Sequence, residues 1–359
     1  PYRKKDIDNA IQVLKSNKIT AGPRVIEFEN KFKKKIKANN SLLVNSGSSA
    51  NLLALQCLIN PYRKKRLKRG DEVVLPALCW STSLWPIVQS GLKPIFVDVE
   101  RNTLCLDIEL VKQAITSRTK AIMLVSANGR YPQSSVDAFE QLCKQKGLIL
   151  IEDSAQSMGS FYPDGRHIGT AGLVGSFSFS APKIISTGQG GAIVTNDDKV
   201  AKKLRRLKDF GRLSGGNDIH DEIGFNFKFT ELQACIGIEQ MKKLPVRVER
   251  KKEILKKYQK LLQNVKEIKF FNQDLDYTTP WFIDCLADSR EALINHLKVN
   301  NIGSRVMYPP INKQLAYNIE GRHPVSNIIG EKGLWLPSSV QLTNEQIKYI
   351  CNEILDFYQ

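Results

Sequence analysis

One lysine lies where a surface lysine is not expected. Lys183 follows the alternating, strand-like run 176–180 and precedes a turn that contains Gly188, Gly190 and Gly191. Its neighbours are small or apolar, and an amine removed from water has a lowered pKa and becomes a better nucleophile. Such an amine can form a Schiff base with a carbonyl compound. A loop lysine that points into solvent is the alternative interpretation.

A carboxylate ends an apolar run in the middle of the chain. Asp153 comes directly after residues 148–152, which have the composition of a buried strand. Burying a charge there is costly unless a neighbouring group uses it. Asp153 could keep a heterocyclic nitrogen protonated, or it could simply cap a helix.

A glycine and serine turn connects a short apolar run, 41–44, to the helical segment 52–59. Gly47, Ser48 and Ser49 would lie at the N-terminus of this helix, where unpaired backbone N–H groups and the helix dipole favour a phosphate. The turn matches neither the P-loop nor the dinucleotide glycine pattern, so an ordinary helix cap is the alternative.

These features together match the needs of one cofactor. Pyridoxal phosphate requires a lysine for its aldehyde, a carboxylate at its ring nitrogen, an anion-binding turn and a flat apolar stacking partner. Lys183, Asp153 and the turn at Gly47 supply the first three, and Trp80 could supply the fourth. Trp80 alone would be read as a core residue. The four features are much less expected to coincide by chance.

Apolar strand-like and amphipathic helical segments alternate along the first two thirds of the chain. This alternation predicts an α/β fold with a mostly parallel central sheet covered by helices on both faces. Ligands of such sheets bind at the C-terminal ends of the strands, where Ser48, Trp80, Asp153 and Lys183 fall. The composition changes at Pro245, so we expect a large domain at 1–244 and a smaller C-terminal α/β domain at 245–359.

Composition limits the classes of function. The 359 residues are 42% hydrophobic and carry a net charge of +17, but the basic residues are spread along the chain and lack a nucleic-acid-binding pattern. We therefore expect no nucleic acid partner, although a positive field favours a small anionic substrate. Seven widely spaced cysteines and four histidines show no metal-ligand spacing. No signal peptide or membrane span is expected, and we predict a soluble, cytoplasmic protein that contacts no membrane.

The sequence resembles the DegT/DnrJ/EryC1/StrS family of nucleotide-sugar aminotransferases nearly from end to end. The motifs that carry the resemblance are ITAGPRVIEFE (19–29), NSGSSAN (45–51), LPALCW (75–80), IEDSAQ (151–156), SFSFSAPK (176–183), TGQGG (187–191) and GFNFKFTELQA (224–234). Members of this family are fold-type-I pyridoxal phosphate enzymes that act on nucleotide-linked keto sugars. The resemblance therefore implies that fold and that cofactor.

The resemblance also implies roles for individual residues. Lys183 matches the Schiff-base lysine, Asp153 the partner of the pyridine nitrogen, Gln156 a residue near the ring hydroxyl, and Trp80 the aromatic residue on the ring face. Further positions match phosphate contacts (Gly47, Ser48, Ser49 and Ser178), a segment inserted by the neighbouring subunit of a homodimer with shared sites (Asn226 and Lys228), and the sugar-nucleotide pocket (Arg305 and Tyr308).

By the same resemblance, L-glutamate would convert the cofactor to pyridoxamine phosphate, which then aminates a 4-keto-6-deoxy sugar on UDP, GDP or dTDP. The family usually has Glu where this chain has Gln189, a different segment at 126–129, and a histidine near Tyr308 where this chain has Met307 or Asn312. A branch that removes a hydroxyl at C3 carries histidine in place of the lysine, so Lys183 favours transamination. A C3 dehydratase, a C3 aminotransferase and a non-catalytic regulatory relative are the alternatives.

Overall fold

A seven-stranded sheet lies in the N-terminal part of the chain. The structure is a computed structural model that describes residues 2–60, 66–213, 218–317 and 319–359. The strands of this sheet are β1 (Asn40–Val44), β2 (Glu72–Pro76), β3 (Lys93–Val97), β4 (Thr119–Val125), β5 (Ile149–Asp153), β6 (Val174–Ser178) and β7 (Gly191–Thr195). Their spatial order is β1-β7-β6-β5-β4-β2-β3. Every neighbouring pair is parallel except the two pairs that β7 forms with β6 and β1, so the predicted mostly parallel sheet is confirmed.

Helices cover both faces of this sheet. They are α1 (Lys4–Lys15), α2 (Pro23–Ile36), α3 (Gly47–Ile59), α4 (Ser81–Gln89), α5 (Ile108–Ala114), α6 (Val136–Lys146), α7 (Asp198–Leu207) and α8 (Glu231–Lys242). Because both faces are covered, strands such as β2 and β7 are buried at every position. This burial explains why strands such as β2 and β7 are nearly continuous apolar runs rather than alternating ones.

A second, four-stranded sheet forms in the C-terminal part. It contains β8 (Ile268–Phe270), β9 (Ile283–Ala287), β10 (Arg305–Val306) and β11 (Gly333–Leu336), all antiparallel, in the order β10-β11-β9-β8. The helices of this part are α9 (Leu244–Leu261), α10 (Arg290–Val299), α11 (Pro324–Lys332) and α12 (Asn344–Tyr358). The predicted domain boundary between residues 244 and 245 falls at the start of α9, and the division itself stays a prediction.

The sequence reasoning assigned neither α11 nor β11. The polar, glycine-rich sequence of residues 211–224 also predicts a mobile loop, of which residues 214–217 lie outside the described residues. The described ends of that loop are paired through the backbone. Arg212 forms an antiparallel β-bridge with His220, and Asp209 forms one with Asn226. In the part of the chain that the structure describes, no helix is long and apolar enough to cross a bilayer.

A buried ion pair joins the two sheets. Both N–H arms of the Arg130 guanidinium donate to the carboxylate of Asp284 on β9, at 2.8 and 2.6 Å, and both side chains are almost fully buried. Next to it, the side chain of Asn128 donates to the carbonyl of Phe282 at 2.9 Å and accepts its N–H at 2.6 Å. Asn128, in the segment 126–129 that differs from the usual family pattern, and the adjacent Arg130 therefore fix the C-terminal sheet against the end of β4.

Replacing Asp284 by asparagine should destabilise the protein by about 3–5 kcal/mol, because the Arg130 charge would stay buried without its counter-ion. Urea unfolding followed by fluorescence measures the change. The double variant Arg130→Met with Asp284→Leu removes both charges and should recover much of the loss. A midpoint for the Asp284→Asn variant equal to that of the wild type would show that this pair does not stabilise the junction.

Candidate active site

Lys183 lies on the turn that connects β6 to β7, at the edge of the sheet where the parallel strands end. Its Nζ is 3.4 Å from the centroid of the Trp281 ring. Among the described residues, no side chain forms a hydrogen bond or an ion pair with this amine. Burial lowers the pKa of Lys183 to about 7, and the negative charge of Asp153 opposes that shift. Near neutral pH, therefore, a large fraction of the amine is uncharged and nucleophilic.

Asp153, the last residue of β5, is held by three donors. Its Oδ2 accepts hydrogen bonds from Asn51 Nδ2 at 2.8 Å and from Ser83 Oγ at 2.7 Å, and its Oδ1 accepts the N–H of Ala155 at 3.1 Å. Asn51 is in turn fixed by the hydroxyl of Ser176, at 2.5 Å. A carboxylate has about four lone-pair sites. One site is therefore left for a further donor, such as a protonated ring nitrogen.

The turn at the start of α3 provides unpaired donors. Ser46 caps the helix by accepting the N–H of Ser49 at 3.0 Å. The N–H groups of Gly47 and Ser48, at the first two positions of the helix, have no acceptor within the helix. Gly47 also packs closely on β6, since a Cβ at this position would lie 2.8 Å from the Cβ of Ser178. Glycine thus lets Ser178 approach the helix N-terminus, where an anion is stabilised.

Aromatic and polar side chains form the opposite wall. The rings of Trp80 and Tyr308 are 6.1 Å apart, and the guanidinium of Arg305 lies 6.0 Å from the Trp80 ring and 5.5 Å from the ring of Trp335. Gln156 accepts the N–H of Asn128 at 2.7 Å. Burial raises the pKa of Tyr308. The phenol therefore stays protonated and can donate a hydrogen bond.

These groups surround one cavity of about 250 Å³, which we call the central cavity. Nine of the residues predicted from the sequence line it: Gly47, Ser48, Trp80, Asp153, Gln156, Ser178, Lys183, Arg305 and Tyr308. Pyridoxal phosphate requires an amine for its aldehyde, a carboxylate for its ring nitrogen, a turn that binds its phosphate and an aromatic ring to stack on. Lys183, Asp153, the turn at Gly47 and Trp80 provide these four groups. The residues present therefore fit that cofactor.

Three predicted residues lie elsewhere. The hydroxyl of Ser49 is turned towards Ser46 Oγ, at 2.9 Å. Lys228 Nζ donates to Asp209 at 3.0 Å and lies 3.8 Å from the Phe210 ring. Neither Lys228 nor Asn226 lines the central cavity of its own chain. Their insertion into a neighbouring subunit's site stays a prediction.

Several wall residues were missed by the sequence reasoning. Trp281 and Trp335 come from the C-terminal part, and Ser83 lines the cavity while donating to Asp153. Asn51 does not line the cavity but donates to Asp153 from behind. Asn51 ends the 45–51 motif, so its position in that motif was an available signal. Trp281 and Trp335 carried no such signal, because nothing local in the sequence connects them to Lys183.

The model of the DegT/DnrJ/EryC1/StrS aminotransferase family matches residues 2–355. The chain belongs to this family. A GDP-perosamine synthase of Escherichia coli O157:H7 is 34% identical over 94% of this chain and 91% of that protein. A GDP-4-keto-6-deoxy-D-mannose 3-dehydratase of Yersinia pseudotuberculosis is 32% identical over 96% of this chain and 94% of that protein.

Solved structures agree with this membership of the DegT/DnrJ/EryC1/StrS family. The Escherichia coli GDP-4-keto-6-deoxy-D-mannose-3-dehydratase with bound hydrated PLP has a TM-score of 0.90 and 27% identity, over 98% of this chain and 97% of that one. The predicted fold class, the pyridoxal phosphate cofactor and the class of nucleotide-sugar aminotransferase enzymes are therefore confirmed.

Proposed function

We propose that this chain transfers the amino group of L-glutamate to a nucleotide-linked 4-keto-6-deoxy sugar and yields a 4-amino-4,6-dideoxy sugar nucleotide of the viosamine or perosamine type. The observation that carries the proposal is the buried Lys183 amine, of which a large fraction is uncharged at pH 7 because its pKa is lowered to about 7, and which has no hydrogen-bond or ion-pair partner among the described residues. A transaminase needs such an amine twice, once for the donor and once for the acceptor.

The cofactor would be held by residues on three strand ends. The helix N-terminus at Gly47 and Ser48 would bind its phosphate together with Ser178, Asp153 would accept the ring N–H, and Trp80 would cover a ring face. When bound, pyridoxal phosphate supplies an aldehyde carbon for amino groups and a ring that withdraws electrons from the bonds next to it. The carboxylate of Asp153 favours the protonated ring, which withdraws most strongly.

Lys183 would act as the base and the acid of the reaction. Its Nζ can accept the proton that leaves the substrate carbon bearing the amino group and can hold it for return, because its pKa of about 7 makes both forms accessible. Trp281 covers the amine and keeps water away from it. Arg305 and Tyr308 would contact the sugar nucleotide from the opposite wall.

The names of the relatives support amination at C4. Two GDP-perosamine synthases, from Escherichia coli O157:H7 and Vibrio cholerae, are 34% and 30% identical over 94% of this chain. A related dehydratase variant has been solved with bound GDP-perosamine, at 26% identity and a TM-score of 0.88. GDP is accordingly the first nucleotide to test, before UDP and dTDP. We also propose that two copies form a dimer in which Asn226 and Lys228 reach the partner's site.

Removal of the C3 hydroxyl is the second candidate function. Relatives with that activity in their names are as similar as the synthases, one of them 38% identical over 66% of this chain. The lysine at position 183 favours transamination over this alternative, because the dehydrating branch is expected to carry histidine there. A dehydratase would consume the same keto sugar and add no nitrogen.

The test is a panel of GDP-, UDP- and dTDP-linked 4-keto-6-deoxy sugars with L-glutamate whose nitrogen is isotopically labelled. We expect the labelled nitrogen in the product of one nucleotide series, at C4 by nuclear magnetic resonance, with one equivalent of 2-oxoglutarate released. Loss of the C3 hydroxyl without label would establish the dehydratase instead. No change in any sugar under conditions where the cofactor is bound would indicate a non-catalytic relative.

A further inference from the structure

The main chain is held on both sides of Lys183. The indole N–H of Trp281 donates to the carbonyl of Pro182 at 2.9 Å, and Nη1 of Arg247 donates to the carbonyl of Ile184 at 2.6 Å. These two carbonyls belong to the residues immediately before and after Lys183. In the part of the chain that the structure describes, no backbone N–H donates to either of them. The turn is therefore fixed by side chains from outside it.

Both donors belong to the C-terminal part of the chain. Arg247 lies in the first turns of α9, and Trp281 comes two residues before β9. Lys183, in contrast, lies on the connection between β6 and β7 of the seven-stranded sheet. The two hydrogen bonds therefore form only when the C-terminal part is packed against the end of that sheet.

Each donor is itself fixed by a buried partner. Nη1 of Arg247 also donates to Gln240 Oε1 at 2.6 Å, and Gln240 Nε2 donates to Asp6 Oδ1 at 2.9 Å. Gln240 and Asp6 are almost fully buried. The carbonyl of Trp281 accepts a hydrogen bond from Nζ of Lys251 at 2.7 Å. Side chains that are locked in this way can hold a reacting group in one position.

Position matters for this lysine because nothing polar orients its amine directly. Lys183 Nζ lies 3.4 Å from the centroid of the Trp281 ring, and no side chain among the described residues forms a hydrogen bond or an ion pair with it. An amine that transfers protons must come within about 2.6–3.2 Å of the atom that it serves. The position of the amine therefore depends on the main chain that carries it and on the ring that it contacts.

We propose that Arg247 and the indole N–H of Trp281 are positioning residues for Lys183, an inference that rests on the proposed role of Lys183 in amino transfer. Together they fix the main chain on both sides of the lysine and keep its amine in the wall of the central cavity. Loss of one hydrogen bond leaves the other in place, whereas loss of both frees the turn. The effects of the two substitutions should therefore add to less than the effect of the double variant.

The rate at which an arylating reagent labels Lys183 in the apoprotein tests the proposal without turnover. Trp281→Phe keeps an aromatic ring but removes the N–H donor, and Arg247→Met keeps the aliphatic stem but removes the guanidinium. Burial lowers the pKa of Lys183 to about 7. We expect the pH at half-maximal labelling to rise by about one unit or more in the double variant, because water reaches the amine. A midpoint equal to that of the wild type would overturn the proposal.

The variants also separate position from charge. The titratable groups that line the two adjoining cavities at Lys183 are Asp153 on β5, Arg247 and Lys251 on α9, and Arg305 and Tyr308 on the opposite wall. Trp281→Phe changes none of these charges, so a raised midpoint in that variant reflects the lost hydrogen bond. Arg247→Lys keeps both a charge and a donor and should recover part of the shift seen in Arg247→Met.

The matched control is Arg250→Met on the same helix. Arg250 also donates to a main-chain carbonyl, that of Leu342, but makes no hydrogen bond to the turn 181–184. This variant should leave the labelling midpoint of Lys183 unchanged even if it lowers the thermal stability. A shift as large as that of Arg247→Met would indicate general loosening of the C-terminal part and would refute the positioning role.

Steady-state kinetics of the holoenzyme distinguishes positioning from substrate binding. In the double variant, kcat should fall by up to about 10²-fold, the cost of displacing a reacting group by about 1 Å. KM for both substrates should stay close to the wild-type values, because the lost hydrogen bonds are internal to the protein. A raised KM for the amino donor with an unchanged labelling midpoint would show that Arg247 binds substrate instead. Since the labelling uses apoprotein, failure of amino transfer and failure of the midpoint to shift are separate results.

Discussion

Replacement of Lys183 by alanine should abolish amino transfer and remove the yellow absorbance of the bound cofactor. The amine of Lys183 lines the central cavity, and burial lowers its pKa to about 7. It can therefore both bind the cofactor aldehyde and transfer protons near neutral pH. Loss of proton transfer alone costs about 10²–10⁴-fold in rate. Half-reaction kinetics with L-glutamate and absorbance spectra measure both effects.

Two controls distinguish the chemistry of the amine from its charge. Lys183→Arg keeps a positive charge but not a neutral amine, since a guanidinium does not lose its proton near neutral pH, and should be as inactive as the alanine variant. Lys256→Ala removes an exposed lysine and should change nothing. If Lys183→Arg kept wild-type turnover, the proposed role of Lys183 would be wrong.

The depressed pKa of Lys183 can be tested directly on the apoprotein. Only the neutral amine reacts with an arylating reagent, so labelling at Lys183 should reach half its maximal rate near pH 7, rather than near the ordinary lysine value of 10.5. Peptide mass spectrometry across a pH series gives this midpoint. Labelling that begins only above pH 9 would show that the amine is solvated.

Asp153→Asn should lower kcat by about 10²–10³-fold, the usual cost of removing one pre-organised electrostatic group. The amide keeps the shape of the side chain but not its negative charge. Without that charge, the pKa of the cofactor's ring nitrogen would fall and the protonated ring would be less favoured. Cofactor should still bind through the turn at Gly47. The carboxylate of Asp153 also accepts the N–H of Ala155, and an amide nitrogen placed there could not accept it. Cofactor affinity and thermal stability are therefore measured beside turnover, to separate this structural effect from the catalytic one.

The matched control for Asp153 is Asp137→Asn, which removes a carboxylate from the surface of α6 and should leave kcat unchanged. Asp153→Glu keeps the charge but displaces it, and should recover part of the activity. Wild-type turnover in Asp153→Asn would mean that the ring needs no carboxylate partner in this protein.

The cofactor half of the site was predictable because each residue follows a strand. Gly47 and Asp153 lie at the ends of recognisable apolar runs, and Lys183 lies shortly after the alternating run 176–180. Parallel strands place their C-terminal ends together. The other half was not, because Trp281 meets Lys183 through tertiary packing that no local pattern encodes. Helix α11 and strand β11 have nine and four residues, so each offers few positions on which hydrophobic periodicity can be recognised.

The segment 126–129, which departs from the family pattern, makes contacts that its sequence does not indicate. Asn128 and the adjacent Arg130 bond to Phe282 and Asp284 of the C-terminal part. Asn128 also bonds Gln156 through its backbone. An unusual sequence near a pocket thus proved to be a structural connection, and only its hydrogen-bond partners reveal this.

The central cavity takes its two walls from different sheets. Gly47, Asp153 and Lys183 come from the seven-stranded sheet, and Arg305, Tyr308 and Trp335 come from the C-terminal part. Mutations on the second wall can therefore change which sugar is accepted while the first wall continues to hold the same pyridoxal phosphate cofactor. Such a division allows one ancestral scaffold to diversify its products without rebuilding its chemistry.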